Sequence, residues 1–289
     1  MILPANLVND IRQGRVILFL GAGASKNSFN SKGQEPPNGT QLSQMLSDRF
    51  LGSKYASEPL AFVAELAISE SNLSAVQDFI REVFIDYKPA DFHLLLPTFC
   101  WRGIVTTNYD LVVEQAYNSC KNKAQRIVSF VSNKDRVDDL LKSRDDLPFL
   151  KIHGCITRTS DPDIPLILTP DQYITHRNGR SRLFDMAEGW GYEYPIVFIG
   201  HGLQDSDVRY MLLKLAKMES FRPRYYLIKP LASDEEVRLW ESKRISVLNG
   251  GFKDFLMALD SEIKPESRKC KLLFQIRIPL RRDFHVPRI

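Results

Sequence analysis

A chain of 289 residues that is 44% apolar and 26% charged can bury a substantial core and lies far from the composition of a disordered polymer. Its formal charge of +4 is unevenly placed: residues 264–289 carry eight Lys or Arg against Glu266 and Asp283, which leaves 31 basic and 33 acidic residues elsewhere. A near-neutral body argues against a broad phosphate-backbone footprint, so nucleic acid would meet this protein only indirectly or through the basic tail.

In chain order, the first strand is the run VILFL (16–20), which breaks into Gly21, Ala22, Gly23, Ala24 and Ser25. A strand that ends in side chains this small and turns into a helix lets backbone N–H groups and the positive helix end approach a diphosphate with no Cβ in the way. Taken alone, the same spacing also suits a tight turn that binds nothing. The loop 26–39, with Pro36, Pro37 and Gly39, follows directly and is placed to close over a ligand. Helical patterns then fill roughly 40–51, 58–69, 73–86 and 91–99, with Thr40 and Ser74 as expected N-caps. More than eighty residues separate the first two strands, far more than one crossover needs, so these helices read as an inserted module. His93 and Trp101 read as core residues.

The second strand, GIVTT (103–107), runs into Asn108 and Asp110. Polar residues at a strand's carboxyl end lie where open α/β sheets hold ligands, although Thr107 or Asn108 would equally cap the helix DLVVEQAY. PFLKI (148–152) leads to His153 and Gly154. That imidazole is suited to titrate near neutral pH or to serve as a hydrogen-bonded structural residue. His176 falls near a helix start and reads as structural. PIVFIG (195–200) ends in Gly200, His201 and Gly202, with Asp205 and Ser206 as helix caps, and YYLI (225–228) and ISVL (245–248) complete the strands.

Runs apolar on both faces and separated by helices predict an α/β fold, a doubly wound parallel sheet (Rossmann-like) with an inserted helical module. Four strands ending in Gly, Asn, Asp or His at one edge predict a single cleft. Beyond them, Phe274, Ile276, Ile278 and Leu280 alternate with Gln275, Arg277 and Pro279, an edge-strand pattern in want of a partner.

The longest apolar runs are much shorter than the ~20 residues that cross a bilayer. Asp10 and Arg12 interrupt the place where a signal peptide keeps its apolar core. A cytoplasmic protein away from membranes is expected. Cys100, Cys120, Cys155 and Cys270 form no C-x-x-C pair, so reduced, buried thiols are expected in place of a zinc ribbon or a disulfide framework.

The stretches GAGAS, TTNYD, HG and FIGHGLQDSD, in that order over residues 1 to about 260, resemble the sirtuin-like family. The resemblance implies that Gly21, Ala22, Gly23 and Ser25 hold the phosphates of NAD. It implies that Asn108, with Thr107 beside it, contacts the nicotinamide ribose and the attacking group, that His153 is the base, and that Asp110 orients them. Gly200 and His201 would receive the adenosine half. Unlike the protein-deacylating members, this chain has no zinc module with two C-x-x-C pairs, and it carries GQEPPNGTQL where they have a Gly-Ile-Pro-Asp-Phe-Arg loop.

The pattern is closer to the bacterial sirtuin-like NADases of antiphage defence. It therefore implies an NAD glycohydrolase that depletes NAD as its substrate, without zinc, as the effector of an abortive-infection system. The implied assembly is a homo-oligomer or a complex with a sensor subunit such as a short Argonaute or a HerA-type ATPase. An NAD-dependent transferase (protein deacylase or ADP-ribosyl transferase) and a non-catalytic module sensing NAD or ADP-ribose remain alternatives. The expected organisation is an NAD-binding domain over 1–260, with its helical insert at about 40–99, followed by a basic tail or docking segment over 261–289.

Overall fold

The computed structural model describes residues 1–175, 177–216, 222–268 and 270. The helices are α1 (Ala5–Arg12), α2 (Gly39–Phe50), α3 (Leu60–Glu70), α4 (Leu73–Phe84), α5 (Val112–Ser119), α6 (Val137–Leu140), α7 (Pro170–Thr175), α8 (Arg177–Glu193), α9 (Ser206–Ala216), α10 (Asp234–Glu241) and α11 (Phe252–Glu262). The strands are β1 (Ile17–Leu20), β2 (Gly103–Thr106), β3 (Arg126–Phe130), β4 (Asp146–Lys151), β5 (Ile196–Ile199), β6 (Tyr225–Lys229) and β7 (Ile245–Asn249). They form one sheet in the order β3-β4-β2-β1-β5-β6-β7, with every pairing parallel.

Strands β1, β2, β4 and β5 are buried along their whole length, because helices cover both faces of the sheet. Leu18 and Leu20 pack with Leu7 of α1, Val113 of α5 and Phe255 of α11. Ile17 and Phe19 point the other way, toward Leu183 of α8, Met211 of α9 and Trp240 of α10. The doubly wound parallel sheet is thus the one the apolar runs predict. The strand they do not announce is β3, an outer strand whose burial alternates and whose Arg126 is ion-paired to Asp146 of β4 at 2.7 Å.

Helices α2, α3 and α4 occupy expected stretches, but their caps differ. Asn38 caps α2 in a reciprocal box with Gln41, and Asn72 caps α4 by accepting from the Ala75 amide, so the first turns start one or two residues before Thr40 and Ser74. The fourth stretch is a 3-10 segment, Asp91–Thr98, containing Pro97, which has no N–H to sustain an α-helix. It packs against α5 and α11. Helices α2–α4 enclose their own cluster of Leu42, Leu46, Val63, Ala67, Val76 and Ile80, closed by Leu166 and Leu168 from the segment before α7.

Cys100 and Cys270 form a disulfide, which corrects the expectation of four reduced thiols. Their separation of 170 residues left no local spacing to signal the pair. Cys120 and Cys155 are free. His176, the alternating run Phe274–Leu280 and most of the basic tail lie outside the described residues. Among the described residues no helix is long and apolar enough to cross a membrane.

Candidate active site

The sheet register sets the site. Leu20 of β1 pairs with Thr106 of β2 and with Ile199 of β5, and Thr106 pairs with Lys151 of β4. One row of paired residues therefore crosses four strands, and Gly21, Thr107 and Gly200 each follow it by one residue. Asn108 and His153 follow the Thr106–Lys151 pair by two residues on neighbouring strands. The chain order also reverses here: from β1 the sheet extends through β2 to one side and through β5 to the other, the kind of switch point at which open α/β sheets hold ligands.

The turns after β1 and β5 are packed backbone to backbone. A Cβ on Gly200 would lie 2.2 Å from the Ala24 amide nitrogen, one on Gly23 would lie 2.7 Å from the Gly200 Cα, and one on Gly21 would lie 2.6 Å from the Gly200 carbonyl oxygen. Gly200 also has φ +66°, which favours glycine. The Gly21 amide donates to the Ile199 carbonyl and the Gly23 amide to the Gly200 carbonyl, both at 2.9 Å. In this structure, then, the small residues make room for each other, and these two amides belong to the fold's own bonding. Ala22 is exposed on the turn. Nor does an α-helix follow β1. Ala22–Ser25 form one 3-10 turn and Lys26 is extended, so the expected helix dipole is missing from this end. The loop beyond is tied to the segment after α4 by paired backbone bonds between Phe29 and Lys88 and by Asp86 accepting from the Ser31 amide.

Asn108 is held by its amide group. Its Nδ2 donates to the Gly21 carbonyl at 3.0 Å and to Ser25 Oγ at 3.1 Å, while its backbone N–H donates to Thr106 Oγ1. Both Nδ2 hydrogens are engaged, so the side-chain carbonyl oxygen is the atom Asn108 can offer a ligand. Ser25 in turn donates to Asp110 Oδ2 at 2.7 Å, and Asp110 Oδ1 accepts from the Val112 amide at the start of α5. Ser25 is 2% exposed and links Asn108 to Asp110. Neither Thr107 nor Asn108 caps the following helix, whose N-cap position is Leu111 with no side-chain cap hydrogen bond. Thr107 is half-buried, with its amide donating to the Leu20 carbonyl.

Beneath this row Lys151 is fully buried, with Nζ donating to the Asp110 carbonyl and to Glu114 at 2.9 Å. Burial alone would lower its pKa, but the charges of Glu114, Cys155 and Asp110 outweigh that and raise it. His93 accepts from the Ala90 amide at Nδ1, so Nε2 carries the hydrogen donated to the Ala24 carbonyl at 2.9 Å. It pins the first turn from below, and burial lowers its pKa. His201 Nδ1 accepts from the Leu203 amide. Burial pushes its pKa down to about 4, so the ring is neutral at ordinary pH.

His153 is 3% exposed. Its Nε2 lies 3.2 Å from Asp207 Oδ2 and 3.9 Å from Asp205 Oδ1, and the ring of Tyr173 stands perpendicular to it at 5.3 Å. His153, Asp205 and Asp207 bring ligand-type atoms within 4.8 Å of one another. Asp205, however, already accepts from the Asp207 and Val208 amides through Oδ1 and from the Tyr173 hydroxyl through Oδ2. The set is therefore a hydrogen-bonded network and a poor cation cage. Sequence reasoning found Asp205 as a cap but missed Asp207, Tyr173 and the pinning role of His93. The only local signal was the D-x-D spacing of 205 and 207.

Comparison with known proteins agrees with this architecture. A model of the SIR2-like domain matches residues 102–248. Defense-associated sirtuin 2 of Bacillus subtilis is 22% identical over 247 residues, covering 82% of this chain and 23% of that protein, so the chain spans less than a quarter of that relative's length. Among solved structures, a Sir2 homolog in complex with NAD superposes with a TM-score of 0.52 at 12% identity, over 90% of this chain and 94% of that one. A serine-to-alanine variant of a Sir2 homologue bound to ADP-ribose superposes with a TM-score of 0.50 at 13% identity, over 89% and 95%. At such identities the likeness shows the fold.

Proposed function

The chain belongs to the SIR2-like family, and on that premise we propose that it binds NAD at the carboxyl ends of β1, β2, β4 and β5 and hydrolyses its nicotinamide–ribose bond. The observation that carries this reading is the position of Asn108 and His153 at equal offsets beyond one Thr106–Lys151 pair, on strands that lie ~4.8 Å apart. Asn108 is held so that its carbonyl oxygen accepts from a water hydrogen, and His153 supplies the base. The bond from ribose C1′ to the pyridinium nitrogen breaks, and its electron pair neutralises that nitrogen as nicotinamide leaves. The water oxygen bonds to C1′ and its proton passes to His153, so NAD and water yield ADP-ribose, nicotinamide and a proton. The cation-like sugar in between is stabilised by oriented polar groups.

The structural likenesses support NAD as the substrate class, since two superposing structures hold NAD and ADP-ribose. A similar protein named for defence supports a role as a defence effector held in an assembly with a sensing partner or a further domain. Incubating the purified chain with NAD, with and without an acylated peptide, tests the reading. Peptide-independent nicotinamide release that falls ~10²-fold or more in His153→Ala is expected. Release only with peptide would replace it with a transferase, and NAD binding without release under any condition would replace it with a sensing module.

A further inference from the structure

We propose that Asp207 is the positioning residue for His153, an inference that rests on the hydrolytic reading above: its carboxylate accepts a hydrogen bond from Nε2–H, holds the ring in the Nε2–H form, and leaves Nδ1 as the nitrogen that takes the substrate-derived proton. The basis is geometric. His153 and Asp207 are 3% and 6% exposed, with Nε2 to Oδ2 at 3.2 Å. An ionised carboxylate only accepts, so the ring nitrogen facing it carries hydrogen and the opposite nitrogen is the base.

The two neighbouring carboxylates divide the work. Asp205 closes the first turn of α9 through the amides of Asp207 and Val208, at 3.0 and 3.2 Å, and receives the Tyr173 hydroxyl at 2.9 Å. Its nearer oxygen is 3.9 Å from Nε2, beyond hydrogen-bond reach. Asp207 is the second residue of α9, where the helix dipole favours an ionised carboxylate. Tyr173 meets the imidazole edge to face and limits its rotation. The other nearby imidazole, His201, has Nδ1 engaged by the Leu203 amide. Thus α7, the turn after β5 and α9 all face His153, and among the described residues Asp207 offers a carboxylate within hydrogen-bond reach of Nε2.

When the proton arrives at Nδ1, the ring becomes a cation beside the Asp207 carboxylate, and it is neutral again once that proton leaves to solvent. Replacing such a carboxylate by the amide can stabilise the wrong tautomer and lower turnover by up to ~10⁴-fold. Ring nitrogen-15 spectra of the full chain test this, with His153→Gln identifying the resonance. The wild type is expected in the Nε2–H form. Asp207→Asn, whose amide can donate to Nε2, should lose that preference, and Asp207→Glu should restore part of it.

In parallel, kcat for nicotinamide release should fall ~10²- to 10⁴-fold in Asp207→Asn, while KM for NAD moves no more than about threefold. A wild-type ring in the Nδ1–H form, an unchanged ring in Asp207→Asn, or an unchanged kcat would each overturn the assignment. Absence of nicotinamide release from the wild type would overturn the hydrolytic reading, and the ring spectra would still decide the role of Asp207.

Discussion

Ser25 Oγ donates a 2.7 Å hydrogen bond to Asp110 Oδ2 across 85 residues of sequence, and the same oxygen accepts from Asn108. A buried carboxylate therefore fixes the hydroxyl, and the hydroxyl fixes the amide. Nothing in the local sequence of either residue signals that chain.

Ser25→Ala removes the link and leaves Asp110 Oδ2, in a residue 7% exposed, without its donor. Loss of a partner to a buried polar group costs ~1–3 kcal/mol, so urea unfolding is expected to show a drop of that size. Nicotinamide release should lose kcat more than KM, because the amide of Asn108 is then held only by the Gly21 carbonyl. Equal unfolding midpoints for variant and wild type would count against the link.

Asn108→Asp replaces the donor that faces the Gly21 carbonyl with an acceptor. The expected result is nicotinamide release lowered by roughly 10²-fold or more, with far-ultraviolet circular dichroism unchanged. Retained turnover would exclude Asn108 from holding the water.

Gly200→Ala would force a Cβ to 2.2 Å from the Ala24 nitrogen at φ +66°, which combines overpacking with backbone strain. A loss of about 3 kcal/mol or more is expected. Gly202→Ala is the control, since nothing lies within 4 Å of its added Cβ, and it should stay within about 0.5 kcal/mol. Thermal melts of the pair decide whether the two turns depend on this contact.

Stability should fall on mild acidification. His201 titrates at about 4 in the folded protein because burial disfavours its charge, against ~6.5 in the unfolded chain. As pH falls the unfolded chain binds this proton first, so stability is full above pH ~6.5 and declines down to pH ~4, where the folded protein is protonated too. The loss is at most about 3 kcal/mol, reduced by the solvent that reaches this partly buried ring. His93, lowered in the same direction by burial, adds to the decline. Urea titrations at pH 7 and pH 4.5 should show a smaller difference in His201→Gln than in the wild type.

Much of the architecture was legible because it is encoded locally. The runs at 16–20, 103–107, 148–152, 195–200, 225–228 and 245–248 are apolar on both faces, and a strand covered by helices on both sides has to be. β3 escaped because its outer position lets its burial alternate. Residues 91–99 have a helical pattern, but Pro97 cannot donate the bond a helix needs.

By itself, the amino-acid order determined which segments become strands and helices and which strand ends carry Gly, Asn and His, since these follow from periodicity and side-chain size along the chain. The tertiary structure alone decided which groups stay available for chemistry. Gly23 and Gly200 are neighbours only because β1 and β5 pair. Ser25 bonds Asp110, and His153 bonds Asp207, only because distant strands end beside each other. Hydrogen bonds form over about 3 Å, and proximity on that scale between residues tens of positions apart is a property of the folded sheet.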